Sequence, residues 1–283
     1  MKLKRSAAQS RALKLGMRAM AGLAVIAGAA CVPDPGPGPV TPVVVYDNTI
    51  SPLPGNVSSL GFQATSTSEF GDHIKLAGTL RNLDAVTVTT SNWALASTPA
   101  NIAYCSANPG TCTVAGFKQT LKLTIYAANT DGPVPTAGAI LGTKTQDFTI
   151  PWRPEADPTC VGGDAGKYRA SDGICYSGAA SNVTFDLTDA GMSAVPTDII
   201  WTVSFNTQSY GTTPIGVDGP FNSFNIGAQG TSASVGIDAD PDAVFVNFVF
   251  AGFYTDGGAG GTGTLRQDTA WTGFTPIAQI TAH

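Results

Sequence analysis

Apolar and hydroxyl-bearing residues alternate along much of this chain, and that two-residue period limits its fold more than any other feature. Residues 83–93 make it plainest: Val86 and Val88 interleave with Thr87 and Thr89 in a β-branched run. Leu121, Leu123 and Ile125 alternate with Lys122, Thr124 and Tyr126, and the series Val183, Phe185, Leu187 and Ile199, Trp201, Val203, Phe205 repeat the pattern. A strand turns successive side chains to opposite faces, so each such segment buries one face and wets the other. Residues 244–253 are apolar almost throughout, which predicts a strand buried on both faces. Shorter strands are expected over 43–46, 60–68, 73–80, 139–150, 224–226 and 277–280. Turns are expected at 69–72 and 129–135, with a glycine cluster at 257–263. Beyond residue 42 no segment carries a helical 3.6-residue period. The reading is an all-β chain, a β-sandwich of jelly-roll-like type, with long disulfide-bearing loops.

The first 42 residues are of another kind. Lys2, Lys4, Arg5, Arg11, Lys14 and Arg18 precede a short apolar run from Ala19 to Ala30, and a Pro/Gly tract follows Cys31. That order is a signal peptide over 1–30, a linker or tether over 31–42, and a single folded domain over 43–283. The apolar run falls well short of the roughly 20 residues that span a bilayer, so no transmembrane helix is expected in the mature protein. Ala29, Ala30 and Cys31 also fit the end of a lipoprotein signal, although Gly28 stands where a branched apolar residue is usual. Cys31 is therefore a candidate lipidation site, against plain secretion. Either route places the protein outside the cytoplasm.

Six of the fifteen basic residues and none of the twenty acidic ones lie within the first 30 positions, leaving nine against twenty and a formal balance of −11. Such a surface repels phosphate backbones and anionic lipid, which excludes nucleic acid as a partner. Four cysteines remain after Cys31, and they allow three pairings. The local one, Cys105–Cys112 with Cys160–Cys175, is expected, because each pair lies within its own Gly/Pro-rich loop and Asn108-Pro109-Gly110 turns the first loop back on itself. Zinc is disfavoured: there is no C-x-x-C, and the histidines are His73 and His283 alone.

Residues able to carry chemistry are few. Asp238, Asp240 and Asp242 put three carboxylates at alternating positions of one loop, a candidate Ca²⁺ site, though the EF-hand spacing fails at Ala243 and Val249. The competing reading is a solvated turn. Glu69 and Asp72 flank a Phe-Gly pair and would suit an acid and base, against a turn whose acids accept backbone N–H groups. His73 reads as a surface or strand-edge residue, and no G-x-S-x-G elbow accompanies it. Aromatic residues gather at strand ends and in loops, among them Trp93, Trp152, Tyr168, Tyr176 and Trp271. Exposed rings stack on sugars, whereas capping rings close a sandwich core. Trp152 and Tyr168 are the preferred candidates for glycan contact, because their loop is the most irregular.

Two segments add a resemblance. Ser59-Leu60-Gly61-Phe62-Gln63-Ala64-Thr65 with Ser68-Glu69-Phe70-Gly71-Asp72, and the later run from Gly263 to Thr272, resemble segments of exported bacterial β-sandwich proteins. The likeness extends from about Val45 to the C-terminus and implies one secreted domain. It carries over no catalytic residue. The expectation is an exported, non-catalytic binding or structural module of the cell envelope or extracellular space, with a glycan or cell-surface ligand as partner. The rivals are a carbohydrate-active enzyme built on the carboxylates and an adhesion component that self-associates through a sheet edge.

Overall fold

The computed structural model describes residues 40–211, 216–230 and 232–283. The expected signal peptide, Cys31 and most of the expected tether lie outside the described residues. Along the chain come β1 (Val43–Asp47), β2 (Ser59–Gly61), the one-turn helix α1 (Phe62–Thr65), β3 (Thr67–Lys75) and β4 (Leu83–Asn92). Next are α2 (Pro99–Ala107), β5 (Gly116–Asn129), β6 (Thr136–Pro151), the short β7 (Tyr168–Arg169) and β8 (Cys175–Tyr176), and β9 (Ala179–Asp186). The remainder is β10 (Asp198–Ser204), β11 (Phe224–Gly227), β12 (Ile237–Asp238), β13 (Ala243–Phe248), β14 (Arg266–Thr269) and β15 (Ala278–Ala282).

Two antiparallel sheets face one another. The first has the order β1-β15-β4-β11-β2, with β9 along the other edge of β4; the second runs β14-β13-β3-β10-β5-β6, with β12 also beside β3. The chain crosses repeatedly between them: β2 belongs to the first, β3 to the second, β4 to the first, β5 and β6 to the second. The alternating residues now have a physical address. Val86 and Val88 of β4, Val183 and Phe185 of β9, Phe70 and Ile74 of β3, and Ile199, Trp201 and Val203 of β10 meet in one core. Their neighbours Thr87 and Thr184 turn outward and bond each other at 2.8 Å. Along one side the layers are tied by a side chain. Gln146 of β6 donates to the Thr184 carbonyl and accepts from the Asp186 amide of β9, both at 3.1 Å, so it stands in for a peptide group between sheets. Lys144 pairs with Asp189 beside it.

Both cystines have the local pairing. Cys105–Cys112 closes a separation of 7 residues and Cys160–Cys175 one of 15. Disulfides of this kind belong to oxidising, extracytoplasmic compartments. Among the described residues no helix is long and apolar enough to cross a membrane.

Three local expectations are corrected. Residues 69–72 are not a turn but the middle of β3, because Phe70, Asp72 and Ile74 continue one inward-facing series. The reversal lies earlier, where α1 ends at Ser66 in the left-handed region (φ 58°). The loop after β4 holds a helix, α2, which starts at Pro99, a residue whose fixed φ and missing N–H suit a first turn. The apolar run 244–253 leaves the sheet at Phe248: up to there it is buried on both faces, but Val249, Phe250 and Phe253 are exposed.

Candidate functional site

The end of β4 builds the principal groove. Ala85, Thr87, Thr89 and Ser91 alternate with the core residues Val86 and Val88; Thr89 and Ser91 are covered, whereas Trp93, just past the last strand residue, is 48% exposed. The ring does not swing freely. Its indole N–H donates to Ser91 Oγ at 3.1 Å, and Ser91 in turn donates to Asn56 Oδ1 at 2.7 Å. Gly178 lies against the indole edge, where any Cβ would collide with Nε1. Tyr176 lines the same groove, carried on the β7–β8 hairpin that Cys160–Cys175 closes. Its hydroxyl donates to Asp172 Oδ2 at 2.9 Å, and its ring covers Gly55. Phe274, 48% exposed, supplies a third ring from the turn before β15. Between these rings lies a cleft of about 660 Å³ bordered by the amides of Asn56, Asn225 and Gln229. Rings for stacking, and amides and hydroxyls for hydrogen bonds, are what a polyhydroxylated ligand requires.

A second cleft, of about 460 Å³, lies on the other side of Gly273, and its lining carries Asp238, Thr275 and Ser232. Asp238 Oδ2 accepts from the Thr275 hydroxyl and Oδ1 from the Asp240 amide, both at 3.1 Å. Burial pushes its carboxyl above the usual carboxylate range, against these bonds, which lower it.

Beneath this cleft is a buried polar group. Asp72 faces the inter-sheet core, 1% exposed, with Oδ1 accepting the His73 amide at 2.9 Å and Oδ2 lacking a hydrogen-bond partner. Burial, reinforced by the charge of Asp238, pushes its carboxyl well above the ordinary range. The Tyr46 hydroxyl, also buried and unpaired, is pushed up by burial first and by Asp72 next. His73, expected at the surface, is 3% exposed. Its Nδ1 lies 2.8 Å from Asp240 Oδ2, its Nε2 lies 3.5 Å from Asp198 Oδ1, and Phe245 meets its ring edge-on.

The other candidates fall in different places. Trp152 donates its indole N–H to the Thr113 carbonyl at 2.9 Å and tilts against Phe117, beside an apolar cleft at the Cys105–Cys112 cystine. Tyr168 is 6% exposed, its hydroxyl donates to the Gly55 carbonyl at 2.5 Å, and its ring lies behind Tyr176. Glu69 and Asp72 are separated by the pleat of β3: Asp72 looks inward, and Glu69 looks outward to accept Tyr126 at 2.8 Å and Thr202 at 2.5 Å on one oxygen. Two groups on opposite faces of a strand cannot share one substrate as acid and base. Asp238 and Asp240 are engaged as described, while Asp242 accepts the Trp271 amide on its main-chain carbonyl. Among the described residues no three His, Cys, Asp or Glu side chains gather as a metal would need.

Trp93 is one of the aromatic residues at strand ends singled out in the sequence, but the sequence prefers Trp152 and Tyr168 as ligand contacts. Phe274, Asn56, Asn225 and Gln229 carried no signal, since only the fold brings three loops and β11 to that strand end. Comparison with protein-family models, with curated proteins and with solved structures finds no match to this chain.

Proposed function

We propose that this protein is an exported, non-catalytic binding module that holds a glycan in the groove between Trp93, Tyr176 and Phe274. The observation that carries this reading is the anchored, half-exposed Trp93 ring lining one cleft with Tyr176, Phe274 and the side-chain amides of Asn56, Asn225 and Gln229. A ring locked in place costs little entropy on binding, so stacking on it yields more net affinity. The separation of Glu69 from Asp72 argues against the rival enzyme reading. The two cystines agree with a site of action beyond the cytoplasmic membrane, reached through the segment over 1–30 and, with lipid on Cys31, retained at the envelope.

A glycan array probed with the purified protein, followed by calorimetry on the hits, tests the reading. Binding to at least one oligosaccharide and its loss in Trp93→Ala, with the melting temperature preserved, are expected. An array without hits removes the proposal. Export is tested separately by fractionation with labelled palmitate: label that disappears in Cys31→Ser identifies a lipoprotein, unlabelled protein in the medium identifies plain secretion, and cytoplasmic retention overturns both.

A further inference from the structure

The aromatic cleft and the Asp238 cleft share Gly273 in their walls. Gly273 has φ +84° and carries no side chain, and Gly230 packs directly on it, so close that a Cβ on Gly230 would come within 2.7 Å of the Gly273 Cα. Gly230 and Gly273 lie back to back, and neither carries a side chain that could rise between the clefts. A chain-like ligand resting on the rings can continue across them.

The charge of the combined surface is one-sided. Among the described residues no Lys or Arg lines either cleft, and Asp238 is the sole charged side chain in the linings. Asp172 stands behind Tyr176 on one side, and Asp240 stands behind Asp238 on the other. The chain beyond residue 30 is strongly acidic as a whole. An anionic polysaccharide would meet carboxylates without a compensating cation. Asp238 uses one acceptor position on each oxygen, for Thr275 and for the Asp240 amide, and a carboxylate offers about four in all. The remaining positions suit a donor that carries positive charge, because a charge-assisted bond is roughly twice as strong as a neutral one.

We infer that the two clefts form one continuous groove for an oligosaccharide of amino sugars with free amino groups, whose rings stack at Trp93 and whose ammonium pairs with Asp238. This rests on the glycan reading given above and narrows it to one ligand class. Neutral sugars keep only the stacking half of the interaction, and uronic acids are repelled.

Calorimetry of the exported protein with four hexamers tests it: glucosamine, N-acetylglucosamine, glucose in β-1,4 linkage, and galacturonate. The glucosamine hexamer is expected to bind about tenfold or more tightly than its N-acetylated form, the gain of one charge-assisted bond. That advantage should vanish in Asp238→Asn. It should also shrink in the unaltered protein as salt is raised to about 1 M, where the screening length is only about 3 Å; this keeps the test independent of how the variant folds. Equal affinity for the two forms, or an advantage insensitive to salt, overturns the inference while leaving the glycan reading intact. Binding of none of the four, coupled with an empty array, removes the reading itself. Preference for galacturonate overturns the charge argument outright.

Discussion

Asp72 and Asp238 share the inner side of one sheet on adjacent antiparallel strands: Asp238 pairs with Ile74, two residues along β3 from Asp72. The inner carboxyl is almost completely buried and lacks a partner on one oxygen, so it favours the protonated form. Its folded pKa is raised above the unfolded value of about 3.9. Stability from this group is therefore fully present below that value and is lost as pH rises through the folded pKa, since the folded state keeps a proton the unfolded chain releases. Asp238, raised mainly by burial, acts in the same direction. Asp72→Asn should cancel the dependence at that site. Melting curves across pH 3.5–9 are expected to converge for the two proteins in acid, with the variant the more stable of the two at pH 8. A difference curve that stays flat rules out a buried carboxylic acid at this position.

The Trp93 contacts make a pair of contrasting predictions. Trp93 is half-exposed and locked by Ser91, whereas Trp152 packs on the core through Phe117. Trp93→Ala should weaken glycan binding by about tenfold or more and change stability by less than about 1 kcal/mol. Trp152→Ala should do the reverse, costing about 2 kcal/mol of stability through lost packing while leaving affinity within twofold. Ser91→Ala, which frees the indole, should fall between them in affinity. Calorimetry and chemical denaturation on the same preparations separate the two effects.

Sheet-forming residues could be read directly because the strand period is local. Val86 and Val88 against Thr87 and Thr89 need no knowledge of partners: both valines enter the core and Thr87 stays partly exposed, while Thr89 is covered by contacts the period cannot reveal. The local cystine pairs were legible for the same reason, each lying within one loop. What failed was non-local. Glu69-Phe70-Gly71-Asp72 resembles a turn by composition, yet β10 and β13 pair with it on both sides and hold it extended. The apolar run at 244–253 predicts ten buried residues, but β13 has partners only up to Phe248, and the chain beyond it turns out into solvent. The groove was the least legible of all. Asn56, Asn225 and Phe274 are more than a hundred residues apart at the extremes, and each is unremarkable in its own segment.

Tyr176 depends on a cystine for its place in the groove. The β7–β8 hairpin has two short strands, too little to hold itself, and Cys160–Cys175 closes the loop that carries it. In the chain-entropy account a closed loop of 15 residues stabilises by about 3 kcal/mol. Cys160→Ser with Cys175→Ser should lower stability by up to that amount and weaken glycan binding several-fold through the loosened Tyr176 wall. Removing Cys105 and Cys112 in the same way should lower stability without affecting the groove, since that cystine lies by Trp152. Equal loss of affinity in both double variants would mean that the effect is global unfolding and not the position of Tyr176.

Arg266 secures the glycine-rich excursion between β13 and β14. Its Nη1 and Nη2 donate to the two oxygens of Asp256 at 2.6 Å each, and its guanidinium lies 3.7 Å from the centre of the Tyr254 ring. Asp268, two residues on, accepts both the amide and the hydroxyl of Thr255 and, on its other oxygen, the Trp271 indole. Together they fasten residues 254–256 onto the strand that follows, leaving Gly257 to Gly263 as a surface arch. Lysine keeps the charge but lacks the planar fork that grips a carboxylate twice and lies flat on a ring. Arg266→Lys should therefore leave the global melting temperature within about 3 °C while accelerating cleavage in the arch under limited proteolysis, with new termini mapping to 249–263 by mass spectrometry. The Asp256 carboxyl, held far below the usual range by Arg266, gives the effect a pH signature. Its contribution is present at neutral pH and disappears only in strong acid, so protection of the arch should persist down to pH 4 in the unaltered protein.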